Sequence, residues 1–187
     1  MDGERLLIVL YGDSNKGKTT TLKELVLLLA NGGTVLPALR ALLYKFLPPK
    51  GKKKDGRFIL EVNNKLIYIA TGGDTWAISR GNVDFFEGNH LTSMKIYRVT
   101  SSSIVPMSLT EKKKKYLNRK ADICVCACSP EGDSTGAIKA LHMYCEEAIA
   151  HNYVYQLWVQ KNSGMNDTAK AKELYDLVDT FIKTEKI

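Results

Sequence analysis

The stretch Arg5-Leu-Leu-Ile-Val-Leu-Tyr11, followed by Gly12-Asp13-Ser14-Asn15-Lys16-Gly17-Lys18-Thr19, decides the fold of this chain. Its first part is a continuous apolar run that ends at a glycine, which is typical of a strand buried on both faces of a parallel sheet. Its second part is a glycine-rich loop, and apolar residues at helical spacing follow it up to residue 30. The stretch therefore predicts a buried strand, a loop and a helix that ends at Asn31-Gly32-Gly33.

The spacing of the glycines, the lysine and the threonine in this loop suits the binding of phosphate groups. Glycines let the backbone approach an anion closely, and the N–H groups at the start of a helix attract negative charge. Lys18 would reach the β- and γ-phosphates of a nucleotide, and the hydroxyl of Thr19 would ligate Mg²⁺. We expect Lys18 to be catalytic, Thr19 to be a metal ligand, and the nucleotide to contact Gly12, Asp13, Ser14, Asn15, Lys16, Gly17, Lys18, Thr19 and Thr20.

The pattern Gly12-x-x-x-x-Gly17-Lys18-Thr19 matches the Walker A motif at every defined position, and it lies between an apolar strand and a helix. In this the chain resembles the P-loop NTPase superfamily, with a layout similar to small GTPase-like or nucleotide kinase-like members. The resemblance implies a three-layer αβα sandwich with a Walker A strand in the middle of the sheet and a Walker B strand beside it. It also implies Mg²⁺ and ATP, or GTP, as ligands.

The rest of the chain alternates between strand and helix patterns, which predicts one α/β domain, residues 1–187, with a mainly parallel sheet and helices on both faces. Further strands are expected at residues 57–62, 65–71, 121–128 and 153–160, with residues 95–100 as a candidate for an extra strand. Further helices are expected at residues 36–46, 108–120 and 135–150, and after a cap at Asn166 or Asp167. Asn63-Asn64 predicts a hairpin turn, so one strand should be antiparallel, most simply at an edge.

A P-loop site also needs a carboxylate that orients Mg²⁺ or the attacking water. Asp74 is the candidate for this catalytic and metal-binding role, because it follows the strand at residues 65–71 through Gly72 and Gly73. The region resembles the one after the third strand of small GTPase-like proteins, although the order of residues differs from their D-x-x-G. We expect Gly73 to approach the γ-phosphate; the alternative is a turn and helix cap over residues 71–75.

Acidic residues also flank the strand at residues 121–128. Asp122 begins this strand, so it lies at the wrong end, because sites in such folds form at the carboxyl ends of strands. Ser129, Glu131 and Asp133 follow the strand and are candidates for binding a second substrate or for a general base. The alternative is an acidic loop with a helix cap.

The last strand is followed by Gln160-Lys161-Asn162-Ser163. This segment is similar to the guanine-reading Asn-Lys-x-Asp motif of GTPases, but its Asp is replaced by Ser, which favours ATP over GTP. Lys161 is expected to stack along the base. Arg80 is a candidate arginine finger or substrate-phosphate ligand, with a solvated surface arginine as the alternative.

The net charge of +7 and the pI of about 9.1 favour polyanionic partners. Two basic runs, residues 50–54 and 112–115, make nucleic acid a candidate partner, with a solvated lysine surface as the alternative. The start has no signal-peptide pattern and no stretch is apolar enough to span a membrane, so we expect a cytoplasmic protein without a membrane partner. Cys124, Cys126 and Cys128 alternate along one strand and are interpreted as small buried residues rather than zinc ligands.

Three functions remain open at this level. The expected one is Mg²⁺-dependent binding and hydrolysis of ATP or GTP, which the hairpin and the Gly72-Gly73-Asp74 loop favour. A nucleotide or small-molecule kinase is the second, but no arginine lies between Ser129 and Val159 to form an arginine-rich lid. The third is a nucleic-acid-binding module that nucleotide regulates without turnover.

Overall fold

The computed structural model describes residues 4–12, 17–49, 54–73, 75–129, 154–162 and 164–184. The strands are β1 (Arg5–Tyr11), β2 (Arg57–Val62), β3 (Lys65–Ala70), β4 (Ile96–Val99), β5 (Ile104–Pro106), β6 (Ile123–Cys128) and β7 (Val154–Gln160). The helices in these ranges are α1 (Lys18–Ala30), α2 (Pro37–Phe46), α3 (Trp76–Phe86), α4 (Leu109–Glu111) and α5 (Asp167–Thr184). A 3₁₀ turn spans Leu91–Ser93, and a π-helical turn, Lys112–Tyr116, extends α4.

All the described strands belong to one sheet with the order β5-β4-β2-β3-β6-β1-β7. β1 pairs in parallel with both β6 and β7, and β6 pairs in parallel with β3. β2 is antiparallel to β3 and β5 is antiparallel to β4, whereas β2 and β4 are parallel. The predicted α/β class and mainly parallel sheet are confirmed.

The order of the strands differs from the prediction in two respects. The antiparallel hairpin strand β2 is not at an edge, because β4 and β5 continue the sheet beyond it. The strand beside β1 on that side is β6 and not β3, so the strand that leads to Gly72 and Gly73 is one position further away, and β1 is interior but not central. β4 and β5 have only four and three residues, too few for a clear alternation of apolar and polar side chains.

Apolar side chains form a core on each face of the sheet. One core joins Leu6, Ile8 and Leu10 of β1 to residues of α1, α2 and α5. The other joins Leu7 and Val9 to residues of α3 and of the turn that ends α4. Helices on both faces are compatible with the expected three layers.

β6 is buried along its whole length. Cys124, Cys126 and Cys128 are buried on the same face as Leu7 and Val9, so their interpretation as small buried residues is confirmed. A hydrogen bond with Cys124, together with burial, raises the pKa of the Cys126 thiol well above its usual value.

Most predicted ends of elements are confirmed. Asn63 and Asn64 both have positive φ angles, 50° and 65°, as a tight hairpin turn requires. The Ser108 hydroxyl accepts a hydrogen bond from the N–H of Glu111 at 3.1 Å, but this helix ends at Tyr116 rather than at residue 120. Asn166 rather than Asp167 caps α5, since its Oδ1 accepts from the N–H of Ala169 at 3.0 Å.

Several predictions lie outside the described residues. They concern Asp13, Ser14, Asn15 and Lys16 of the loop, residues 50–53 of the first basic run, Asp74, Glu131, Asp133, the helix at 135–150 and Ser163. In the ranges that are described, none of the helices combines the length and the apolar character that a membrane span requires.

Candidate functional site

The candidate site lies at the edge of the sheet where four parallel strands end. Gly12, Gly73, Ser129 and Lys161 follow β1, β3, β6 and β7, and the carboxyl ends of parallel strands meet at one edge. β2 and β4 begin at this edge, because Arg57 lies opposite both Ala70 of β3 and Ile96 of β4. The first residues of β2 and β4, which run antiparallel to β3, therefore lie at the site.

Two glycines at this edge allow backbone segments to lie in direct contact. A Cβ atom at Gly12 would lie 2.1 Å from the carbonyl oxygen of Lys161, and one at Gly73 would lie 1.9 Å from that of Ala127. The N–H of Ser129 donates to the carbonyl of Gly73 at 3.0 Å. Both glycines therefore have a packing role in addition to the role that the motif predicts for them.

The start of α1 faces this edge. Gly17 precedes the helix with a φ of 84°, a left-handed conformation that favours glycine. No described side chain caps this helix end. Helix N-termini carry partial positive charge and N–H groups without intrahelical acceptors, which suits a phosphate group.

Lys18, the first residue of α1, is hydrogen-bonded to the residue that follows β1. Its side chain is buried, and its Nζ donates to the carbonyl oxygen of Gly12 at 2.6 Å. The ammonium group thus bridges the first glycine of the loop to the first turn of α1. A cation in this position is close to any oxyanion that the loop would enclose.

The hydroxyl of Thr19 contacts an acidic residue that the sequence analysis did not select. Its Oγ1 donates to Oδ1 of Asp55 at 2.8 Å and is 3.4 Å from the carbonyl oxygen of Thr71. The Thr71 hydroxyl accepts from the N–H of Gly56 at 2.8 Å and lies 3.5 Å from the same Asp55 oxygen. In the sequence, Asp55 directly follows the basic run at residues 50–54, and only its place in front of the strand at residues 57–62 could have indicated it.

These oxygen atoms fit a magnesium ion. Mg²⁺ in nucleotide sites takes one or two carboxylates together with phosphates and water. Thr19, Asp55 and the carbonyl of Thr71 offer such donors. Among the described residues, no group of three acidic, His or Cys side chains forms a metal site, so a magnesium ion here would depend on the phosphates of the nucleotide.

Lys161 has a packing role in the structure. It is only 2% exposed, and its Nζ donates to the carbonyl of Met165 at 2.6 Å and pairs with Oδ1 of Asp167 at 2.9 Å. Asp167 also accepts from the Thr21 hydroxyl at 3.3 Å and packs against Gly17. These contacts join the end of β7 to the starts of α5 and α1, and the stacking of Lys161 on a base stays a prediction.

Other candidates lie apart from this edge or serve the fold. Arg80 is exposed on α3. Thr75 caps α3 by accepting from the N–H of Ile78 at 3.3 Å, as the alternative for residues 71–75 predicts.

Asp122 accepts from the N–H of Leu66 at 2.6 Å, at the opposite edge of the sheet as expected. Lys112 is buried with its Nζ on the carbonyl of Met94, so it does not belong to a basic surface.

A cleft of about 370 Å³ opens beside Asp55. It reaches from the end of α2, with Phe46, across the first residues of β2 and β4 to Asn82 of α3, and Arg57 is among its lining residues. Asn82 is 2% exposed, and its Nδ2 donates to the carbonyl of Gly72 at 2.8 Å. The volume is in the range of small-molecule sites. The sequence analysis missed this cleft because distant segments contribute to it.

Comparisons with protein-family profiles, with curated proteins and with solved structures found no match to this chain. The likeness to P-loop NTPases therefore rests on the loop from Gly12 to Thr19 and on the geometry around it.

Proposed function

We propose that this chain binds a nucleoside triphosphate with Mg²⁺ and hydrolyses its terminal phosphate. The proposal rests on the contacts that two consecutive residues, Lys18 and Thr19, make at the start of α1. Lys18 presents its ammonium at the carbonyl of Gly12, and Thr19 presents its hydroxyl at the carboxylate of Asp55. One cation and one pair of oxygen donors at the start of a helix are what a magnesium–phosphate ligand needs.

The chemistry follows from these positions. The N–H groups of the loop and of the first turn of α1 would bind phosphate oxygens, and Lys18 would stabilise negative charge as the terminal phosphate leaves. Thr19 would ligate Mg²⁺, which neutralises phosphate charge when bound. Asp55 is the carboxylate that would ligate Mg²⁺ beside Thr19, and Asp74 is the one that would orient Mg²⁺ or the attacking water. We favour ATP over GTP, because the segment after β7 lacks the Asp that would accept from guanine.

The proposal is tested by measuring binding and phosphate release with Mg²⁺ and ATP or GTP. Lys18→Ala should weaken nucleotide binding by about tenfold or more and reduce release, because it removes the buried cation. Lys172→Ala is the matched control, since Lys172 is an exposed lysine in a surface pair with Asp176. Undiminished binding by the Lys18→Ala variant would refute the proposal.

A kinase is the second candidate, and the cleft beside Asp55 favours it. The same carboxylate that accepts from Thr19 lines this cleft, so an acceptor bound there would lie next to the terminal phosphate. The assay separates the two reactions when a panel of nucleosides and nucleotides is added. Phosphate release when no acceptor is present supports hydrolysis. Phosphorylation of a panel compound, with no phosphate release when that compound is left out, supports the kinase.

A further inference from the structure

Arg57, the first residue of β2, is a half-buried cation that forms no ion pair with any residue the structure describes. Its Nε is buried and has no hydrogen-bond partner, and no described side chain forms an ion pair with its guanidinium. Burial lowers the pKa of Arg57, and no neighbouring charge is among the causes. A guanidinium has five N–H donors, and leaving such donors buried without acceptors costs free energy.

The neighbouring helix makes room for this guanidinium. Gly81 lies inside α3, where glycine is less favourable than alanine by about 1 kcal/mol. A Cβ atom at Gly81 would lie 2.9 Å from Nη2 of Arg57. The absence of a side chain at position 81 therefore leaves space for the Arg57 guanidinium, which no described residue neutralises.

Arg57 also lines the cleft of about 370 Å³ that lies beside Asp55. Lys95 is a second, exposed cation at this cleft, and its Nζ lies 5.6 Å from the centre of the Tyr97 ring. Among the described residues of the lining, Asp55 is the acidic one, and it already accepts from the hydroxyl of Thr19. Phe46 and Ile78 provide apolar surface. The cleft thus combines two cations with apolar and aromatic walls.

We infer that this cleft binds a small organic anion whose phosphate or carboxylate group pairs with Arg57. Charge-assisted bonds from the guanidinium to an oxyanion would neutralise a cation that no described side chain pairs with. The apolar walls suit a ligand with a planar or aliphatic part. The inference rests on residues of the cleft, so it holds whether or not the nucleotide is hydrolysed.

The test measures binding of phenyl phosphate and of benzoate by calorimetry, with both probes added to the full chain carrying Lys18→Ala to weaken competing binding at the loop. Arg57→Met should lower the affinity for at least one probe by about tenfold to a hundredfold. Arg57→Lys keeps the charge but loses the planar guanidinium, so its affinity should lie between those of the parent and of Arg57→Met. Arg119→Met, which removes an exposed arginine that pairs with Glu61 at the far end of β2, is the matched control and should bind within about twofold of the parent.

The two probes distinguish the sources of the oxyanion. A preference for phenyl phosphate indicates a phosphorylated ligand, and a preference for benzoate indicates a carboxylate. Without ligand, Arg57→Met should melt at the same or a higher temperature, because it removes a cation that lacks a partner. Failure of both probes to bind at millimolar concentration, equal binding by Arg57→Met, or a lower melting temperature of ligand-free Arg57→Met would each overturn the inference.

Discussion

At the scale of single residues, the hydroxyl of Thr19 determines where the acidic side of the candidate site lies. It donates to Asp55, a residue 36 positions further along the chain. No local pattern links the two, since the contact exists only because β2 begins at the edge where β1 ends. Asp74 remains the acidic residue that the sequence favours, and Asp55 is the one for which a contact is described.

Asp55→Asn should raise the Mg²⁺ concentration needed for half-maximal phosphate release by about tenfold, because an amide is a weaker ligand than a carboxylate. A titration of activity with Mg²⁺ at saturating nucleotide measures this. Asp176→Asn, in an exposed pair with Lys172, is the control for loss of one negative charge. An unchanged Mg²⁺ requirement in Asp55→Asn would show that Asp55 does not contribute to the metal site.

At the scale of elements, the contact between the ends of β3 and β6 depends on a glycine. A Cβ atom at Gly73 would lie 1.9 Å from the carbonyl oxygen of Ala127, whereas one at Gly72 would first meet the Cβ of Asp55 at 3.4 Å. The two glycines look equivalent in the sequence. Only the approach of β6 distinguishes them.

Gly73→Ala should therefore lower the free energy of unfolding by about 2 kcal/mol or more, because the new methyl group forces β3 and β6 apart. Gly72→Ala should change it by less than about 0.5 kcal/mol, as expected away from such clashes. Urea denaturation of the two variants and the parent measures both values. Equal stabilities of the two alanine variants would contradict the packing role of Gly73.

Contacts between elements also explain Lys161. Its pair with Asp167, and the bond from Thr21 to the same carboxylate, connect the end of β7 with the starts of α5 and α1. The sequence favoured a ligand role because residues 160–163 are similar to a guanine-reading motif. Its burial and its partners, which tertiary packing provides, give Lys161 a role in joining β7, α5 and α1.

At the scale of the whole molecule, one buried cation makes stability depend on pH. Lys23 of α1 is 1% exposed, and its Nζ donates to the carbonyl oxygens of Leu47 and Pro48 at 3.1 and 3.3 Å. Burial lowers the pKa of Lys23 to about 8, against an ordinary value of 10.5, and the opposing effect of Asp55 is smaller. The unfolded chain therefore binds more protons than the folded one between these values.

Stability should thus rise with pH through this window, since the cost of burying the charge is complete below pH 8 and is relieved as the folded lysine loses its proton. Lys23→Met removes the effect, so the parent should gain stability relative to this variant from about pH 8 to about pH 10.5. Urea denaturation across the range measures the difference. Lys172→Met, which removes an exposed lysine, is the control. A constant difference between parent and Lys23→Met would contradict the lowered pKa.

The predicted local structure of the described residues agreed well with the structure where a pattern was long or chemically specific. The run Arg5–Tyr11 formed a buried strand, Lys18–Ala30 formed a helix, and Asn63 and Asn64 formed the expected turn. The candidate strand at residues 95–100 was confirmed as β4, whereas the three-residue β5 was not predicted and the order of strands in the sheet differed from the prediction.

The sequence by itself determined the α/β class and the strand and helix on either side of the glycine-rich segment, because side-chain periodicity and glycine spacing are local properties of the chain. Only the tertiary structure decided that β6 separates β1 from β3, that Asp55 meets Thr19, and that Arg57 lines a cleft without an ion-pair partner among the described residues. These features depend on which strands pair and in which direction. Strand pairing is set by the packing of distant segments against two shared cores, which no single stretch of sequence encodes.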